Sequence, residues 1–356
     1  MKKVLAATVC LLLIAALLLA GCGQKAASTD SNTNSSSSGQ SQASSNSGSS
    51  SDKSQSGDKV FKIGISQFVE HPALDAARKG FIDGLKEAGF EEGKNVTFEV
   101  ENAQADFPTT QTIASKFVGE KVDMILAIAT PSAQSAANAT KDIPILITAV
   151  TDPVSAGLAR SLEKPETNVT GTTDMNPIKE QLELLKQILP NAKNVGILYN
   201  AAEANSKVQV DIAKKAAGEL GLTIHEATVA NSSEVNQAVQ SIAGKVDAIY
   251  APTDNTIASS IGAVVKVCND AKIPVIAAER GMVDGGALAT LGIDYYLLGK
   301  QTGKVAARVL KGEKPADIAI EGSKDLKLII NKKSADTLGI KIPEALMSKA
   351  DEIVEK

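Results

Sequence analysis

The sequence predicts an α/β protein built as two doubly wound parallel-sheet lobes, joined by a hinge of two or three strands. Three observations predict it. Apolar segments recur as pairs displaced by about 130 residues. Ile63-Gly64-Ile65 pairs with Val195-Gly196-Ile197, Val122–Ala127 with Val246–Ala251, and Ile143–Ile147 with Ile273–Ala277. These segments are short, unbroken and rich in β-branched residues, as strands are when both faces of a parallel sheet are covered. Between them run segments of helical spacing, and a regular alternation of strand and helix folds as right-handed βαβ units.

In the first half Leu74, Ala77, Phe81, Leu85 and Ala88 form one helical stripe, and Gly89 is placed to end that helix. In the second half Val208, Ile212, Ala216 and Leu220 repeat the stripe before Gly221. The run Thr170-Gly171-Thr172-Thr173-Asp174 leads from one half into the other. Gly285–Gly292 reads as a strand returning to the first lobe, where the helix Leu298–Leu310 would pack. Ile318-Ala319-Ile320 reads as a third crossing and Leu326–Ile330 as a last strand. The expected lobes are residues 59–174 with about 285–318, and residues 175–284 with about 319–356. Lobes joined in this way can close as jaws about the hinge.

The start of the chain follows a different logic. Lys2 and Lys3 precede an apolar run from Val4 to Ala20, which ends in Leu19-Ala20-Gly21-Cys22. A charged start, an apolar middle and small residues before a cleavage point make a secretory signal over residues 1–21. The ending resembles the bacterial lipobox, so Cys22 is the expected lipidation site, palmitate among its acyl groups. It would anchor the chain on the extracytoplasmic face of the cell membrane. A membrane-spanning helix is the alternative, because roughly 17 apolar residues lies at the lower limit for crossing a bilayer. Residues 22–58 are mostly Ser with Asn, Gln, Gly and Asp. They offer no apolar face whose burial could offset the entropy of ordering them, and they read as a disordered tether. As a random coil the tether spans roughly 30–35 Å on average.

About 300 residues remain, enough for two ordinary domains. A net charge of −4 argues against a nucleic-acid surface. Of the three cysteines, Cys10 leaves with the signal and Cys22 carries lipid. Cys268 is left alone, which excludes a disulfide framework and a thiolate metal cluster, and it reads as a buried, inert thiol.

Ligands of open parallel sheets bind beyond the carboxyl ends of the strands, so the loops at those ends nominate the site. Gln67, Phe68 and Glu70 follow the first strand, ahead of His71-Pro72. Thr130-Pro131-Ser132 follows the Val122 strand and opens a helix. Free backbone N–H groups and two hydroxyls there suit a carboxylate, although helix capping alone also explains Thr130. Asp254 and Asn255 occupy the equivalent loop of the second half, and Glu279 follows the next strand. Asp152 follows its first-half counterpart; Asp174 at the crossing and Asn200 at a strand end complete the set. One lobe thus offers an anion acceptor and the other carboxylates able to take an ammonium, which suits a zwitterion such as a free amino acid. Each acid taken alone reads equally as a helix cap or a solvated charge; their joint placement at strand ends favours the site. The few aromatics near the cleft, Phe68, Tyr199, Tyr295 and Tyr296, and the absence of Trp count against a sugar.

Several of these runs together resemble a known family: Gly64-Ile65-Ser66-Gln67 with His71-Pro72-Ala73-Leu74-Asp75, Ala129–Gln134, Thr151-Asp152-Pro153-Val154, Gly171–Asp174 and Pro252–Asn255. They are similar to the substrate-binding proteins of a bacterial ABC transporter family that includes tryptophan-binding members, over nearly the whole body from Phe61 onward. The resemblance implies a type I periplasmic-binding-protein fold that captures a ligand between its lobes and delivers it to a permease and its ATPase. It implies an aromatic amino acid as ligand. It implies the Thr130-Pro131-Ser132 turn as carboxylate site, Asp254, Asn255 and Glu279 as amino-group partners, and Gln67 to Glu70 as part of the side-chain pocket. A monomer that needs no cofactor and no metal is expected.

The competing class is an enzyme on the same fold. No G-x-G-x-x-G follows the first strand, Gly299–Lys304 lacks phosphate-loop spacing, and no G-x-S-x-G elbow is present. His71 belongs to the cleft but has no paired nucleophile, and His225 lies in a strand-like run. A ligand sensor reporting to a signalling partner would use the same cleft; transport is favoured because the chain carries no signalling module.

Overall fold

Both halves of the repeat form a sheet whose first five strands wind in one order, in a computed structural model that describes residues 59–323 and 325–355. The signal segment, Cys22 and the tether lie outside the described residues. The first lobe runs β1 (Phe61–Gln67), α1 (Pro72–Glu87), β2 (Val96–Asn102), α2 (Phe107–Gly119), β3 (Met124–Ile128), α3 (Thr130–Ala139), β4 (Ile145–Val150) and β5 (Val169–Thr173). The second runs α4 (Ile178–Ile188), β6 (Asn194–Asn200), α5 (Ala204–Glu219), β7 (Thr223–Val229), α6 (Val235–Ala243), β8 (Ala248–Ala251), α7 (Asn255–Ser259), α8 (Ile261–Asp270), β9 (Val275–Ala277), α9 (Arg280–Asp284) and β10 (Ala289–Ile293). The strand orders are β2-β1-β3-β4-β5 and β7-β6-β8-β9-β10. Their central strands are buried along their whole length, with helices covering both faces.

The strand Ala289–Ile293 does not return to the first lobe. It pairs in parallel with β9 and closes the second lobe's winding, because only the short α9 separates the two strands and a short connection keeps them neighbours. The crossing follows at Asp294. Helix α10 (Tyr295–Leu310) then packs along α1 of the first lobe. Ile318 and Ile320 are buried in that lobe's core, and β11 (Glu321–Gly322) pairs with β5. The chain crosses a third time between Gly322 and Leu326. Then β12 (Leu326–Asn331) pairs antiparallel with β10, α11 (Lys332–Leu338) follows, and β13 (Glu352–Val354) pairs with β12. Three crossings therefore join the lobes: at 174–177, at 294, and between Gly322 and Leu326.

The contact of α1 with α10 explains a sequence pattern that matched no phosphate loop. A Cβ placed on Gly299 would lie 2.0 Å from the Ala77 carbonyl oxygen, and one on Gly303 would lie 2.3 Å from that of Phe81. Gly80 meets the Tyr296 carbonyl in the same way at 2.1 Å. These glycines let two backbones touch, and the close approach fixes the helix that emerges from the hinge. The α1 stripe holds as expected, with Leu74, Ala77, Phe81 and Leu85 buried and Gly89 at φ +95° beyond the helix. On α5 the buried face is instead Asn205, Ser206, Gln209, Val210, Ala213, Ala216 and Ala217, while Ile212 is exposed. Polar residues at the head of α5 point into a buried network, which turns the helix away from its most apolar stripe.

Candidate functional site

The two sheets face each other across a cleft at their strand ends, and in this structure the lobes are closed upon it. His71, at the end of the loop after β1, places Nε2 3.5 Å from Asn255 Oδ1 of the second lobe. Between the lobes lies a slot of only about 20 Å³, room for about one water molecule. His71, Ala149, Thr151 and Asp174 line it from the first lobe and hinge, and Asn205, Thr253, Asp254, Asn255 and Glu279 from the second; Tyr295 lines it from the second crossing. Three buried carboxyl groups, Asp174, Asp254 and Glu279, thus share one slot whose lining contains no Lys or Arg.

Their local chemistry separates them. Asp254 Oδ2 accepts from Asn200 N at 2.6 Å and Ser206 Oγ at 2.6 Å, and its Oδ1 accepts from Ile257 N at 2.8 Å. Burial and the neighbouring Glu203 hold its carboxyl above the usual range. Glu203, itself buried, accepts from the backbone N–H and side chain of both Asn255 and Thr256. Asp254 therefore acts as the cap of α7 and the tie between β6 and α5, with three internal donors on its two oxygens. Glu279 caps α9, accepting from Gly281 N and from Met282 N at 2.9 Å, and burial pushes its carboxyl up to about 7. Asp174 differs: Oδ2 accepts from the Tyr295 hydroxyl at 2.6 Å, while the buried Oδ1 has no partner. Burial holds the Asp174 carboxyl above its ordinary range.

Further buried polar atoms lack partners, those of His71 and Asn205 among the slot's lining. Asn176 Oδ1 and Asn205 Oδ1 are acceptors without donors, and His71 Nδ1 is also free. At the carboxyl ends of β1 and β3, the hydroxyls of Ser66, Thr130 and Ser132 lack partners as well. Buried polar groups are normally hydrogen-bonded, and each exception calls for an explanation. No side chain caps α3, so Thr130 is not spent on capping. Ala129 before α3 has φ 77°, and Ala149, which lines the slot, has φ 55°. Strained non-glycine backbone at two adjacent strand ends is the pattern of a ligand clamp. Burial drives His71 down to about 4, so it is neutral in the closed cleft.

The sequence-derived residues divide accordingly. Asp174, Asp254, Asn255 and Glu279 reach the slot. Gln67 is buried but occupied: Nε2 donates to Val69 O and Asp75 Oδ1, and Oε1 accepts from Arg78. Phe68 packs in the first lobe's core against Phe107, with ring centroids 5.2 Å apart, and Glu70 is exposed. Asp152 accepts from the N–H groups of Val154 and Ser155 and so builds a turn. Asn200 is held by Thr256 and the Ala230 carbonyl. Pro131 opens α3 and lines a separate groove. Asn176 and Asn205 were not singled out from sequence; both follow a strand end by a few residues, a signal no stronger than that of any polar loop residue.

The family model for ABC transporter substrate-binding proteins matches residues 62–354. The chain belongs to that family. It is 49% identical over 321 residues to a tyrosine-binding protein of Clostridioides difficile, covering 90% of this chain and 87% of that protein. A Streptococcus pneumoniae structure of an ABC domain in complex with L-Trp is 42% identical, with TM-score 0.81, covering 83% of this chain and all of the other. A ligand-free, open substrate-binding protein with adhesive properties from Clostridium difficile is 51% identical over the same share of each chain, yet its TM-score is 0.64. Similarity in sequence and in shape run opposite ways here, as expected when the lobes of this substrate-binding protein are closed and those of the open relative are apart. The architecture is the type I periplasmic-binding-protein fold. Members of this family bind substrates rather than transform them. No helix among the described residues is long and apolar enough to cross a membrane.

Proposed function

We propose that this substrate-binding protein captures a free aromatic amino acid outside the cytoplasm and presents it to an ABC importer, its permease and ATPase. The observation that carries the reading is the slot itself. Three buried carboxyl groups and no cation leave a deficit of positive charge, and Asp174 Oδ1 and Asn205 Oδ1 of the lining stand without donors, as does Asn176 Oδ1 two residues beyond Asp174. An α-ammonium supplies one charge and three N–H bonds, which is the group such a site lacks. The hydroxyls of Ser66, Thr130 and Ser132, with the uncapped N-terminus of α3, form the opposite pole and take the carboxylate. The relatives' ligands, tyrosine and L-Trp, are both zwitterions with an aromatic side chain.

Closure is the mechanism of capture. In the open form the poles are separated; a ligand that touches both lobes stabilises the closed form in proportion to its preference for it. The slot's small volume means that ligand enters only from the open form. Cys22 as lipid anchor and residues 22–58 as tether hold a monomeric body beside its permease. Isothermal titration of the purified protein against free amino acids, with nucleosides and sugars as controls, tests the reading. Binding of aromatic amino acids alone is the expected outcome, and the absence of binding by any amino acid overturns it.

A further inference from the structure

The slot cannot hold an aromatic ring, but a second cavity beside it can. It encloses about 320 Å³ between the lobes, within the range of small-molecule sites. Ala73 and Ala76 of α1, Ile293 and Ile329 of the second sheet's β10 and β12, and Tyr295 and Tyr296 line it, together with the charged residues Glu279, Arg280, Asp284, Asp294 and Lys327. Ala73, Glu279 and Tyr295 line both the cavity and the slot, so the two spaces share a wall.

We propose that this hinge-side cavity is the subsite for the aromatic side chain, with the ammonium of the same molecule at Asp174. The inference rests on the amino-acid reading above and adds where the ring lies. Tyr295 makes the connection: its hydroxyl holds Asp174 at 2.6 Å, and its residue also walls the cavity. An amino acid held at Asp174 therefore has its side chain next to Tyr295. Tyr296 is fixed in place, its hydroxyl donating to Asp83 at 2.9 Å and Lys79 lying 4.9 Å from the ring centroid. Two tyrosines and four aliphatic side chains favour a flat, mostly apolar group and ring-to-ring contact, beside the Arg280–Asp284 and Lys327–Asp294 ion pairs of the same lining. Because walls come from both lobes, a ring lodged there favours the closed form directly, and a small amino acid forfeits that gain.

Ala76 is half-buried on α1, so larger side chains fit there without disturbing the core. Ala76→Phe fills the cavity, Ala76→Leu fills it partly, and Ala76→Ser leaves it open. The chain has no Trp, so the emission of bound L-Trp reports its environment without background. The full-length protein and its variants are compared by titration with L-Trp and L-Tyr, with melting curves confirming that each variant is folded. Ala76→Ser is expected to bind as the parent does, Ala76→Leu more weakly, and Ala76→Phe about tenfold more weakly or worse, without the blue-shifted emission of bound L-Trp. Unchanged affinity in both the Leu and Phe variants would overturn the ring subsite while leaving amino-acid capture intact. If the parent binds no aromatic amino acid, the capture reading fails and the subsite falls with it.

Discussion

The Tyr295 hydroxyl donates to Asp174 Oδ2 at 2.6 Å and so ties the first hinge crossing to the first turn of α10, just past the second. It leaves Asp174 Oδ1 as a buried acceptor without a donor. Asp174→Asn keeps the shape and removes the charge. Solute affinity is expected to fall by about 2–4 kcal/mol, the cost of leaving a buried ammonium without its counter-charge, with little change in melting temperature. Titration calorimetry on the variant checks both sides of that statement.

Asp254 separates from Asp174 in the opposite direction. Its three donors, Asn200 N, Ser206 Oγ and Ile257 N, are all internal. Asp254→Ala leaves them buried and unpaired, and a loss of about 2–4 kcal/mol in unfolding free energy is expected by denaturant titration. Solute affinity of the folded fraction is expected to fall less than in Asp174→Asn.

Capture is expected to weaken in acid through His71. Burial in the closed cleft lowers it from 6.5 to about 4, so between those values the open form binds more protons than the closed one. The stability of closure therefore rises with pH across that window and is lost as pH falls through it. Asp75, Asn255 and the slot acids face this ring. Glu279, raised to about 7, shifts closure in the opposite sense, so the parent is compared with His71→Gln. The drop in affinity between pH 7 and pH 5 is expected to be on the order of twenty-fold greater in the parent than in the variant.

Gly299→Ala drives a methyl group to 2.0 Å from the Ala77 carbonyl oxygen. Backbone must move on both α1 and α10, and a loss of about 2–3 kcal/mol is expected in denaturant unfolding. Gly89→Ala meets nothing within 4 Å. It provides the contrast, with a smaller loss that comes from its positive φ alone.

Cys22→Ala is expected to remove lipid labelling and to move the protein from the membrane to the soluble fraction. Unchanged fractionation would contradict the anchor.

The winding of each lobe was legible because strand and helix periods are local properties, and the Ile63, Val122 and Ile143 segments have counterparts of the same pattern. The lobe to which Ala289–Ile293 belongs was not, since pairing with β9 and β12 is non-local. Stripe reading succeeded on α1, where the buried face is apolar, and failed on α5, where Ser206 and Gln209 turn inward to Asp254 and the Thr253 carbonyl. The same blindness affected the site. Asp174 and Asp254 both follow strands, and sequence cannot show that Asp254 holds three internal donors while Asp174 keeps an oxygen without one. Gln67 ends β1 and Phe68 follows it, yet Phe68 turns into core packing and Gln67 into an Asp75–Arg78 network.

The central claim is that a buried carboxyl, Asp174, waits for an α-ammonium. Thermal unfolding of the purified protein with L-tyrosine and with its analogue lacking the amino group, 3-(4-hydroxyphenyl)propionate, tests it most directly. L-tyrosine at a hundred times its dissociation constant is expected to add about 2.7 kcal/mol of stability, and the deaminated analogue at the same concentration almost none. Equal stabilisation by both, or none by L-tyrosine and L-tryptophan, would contradict the account.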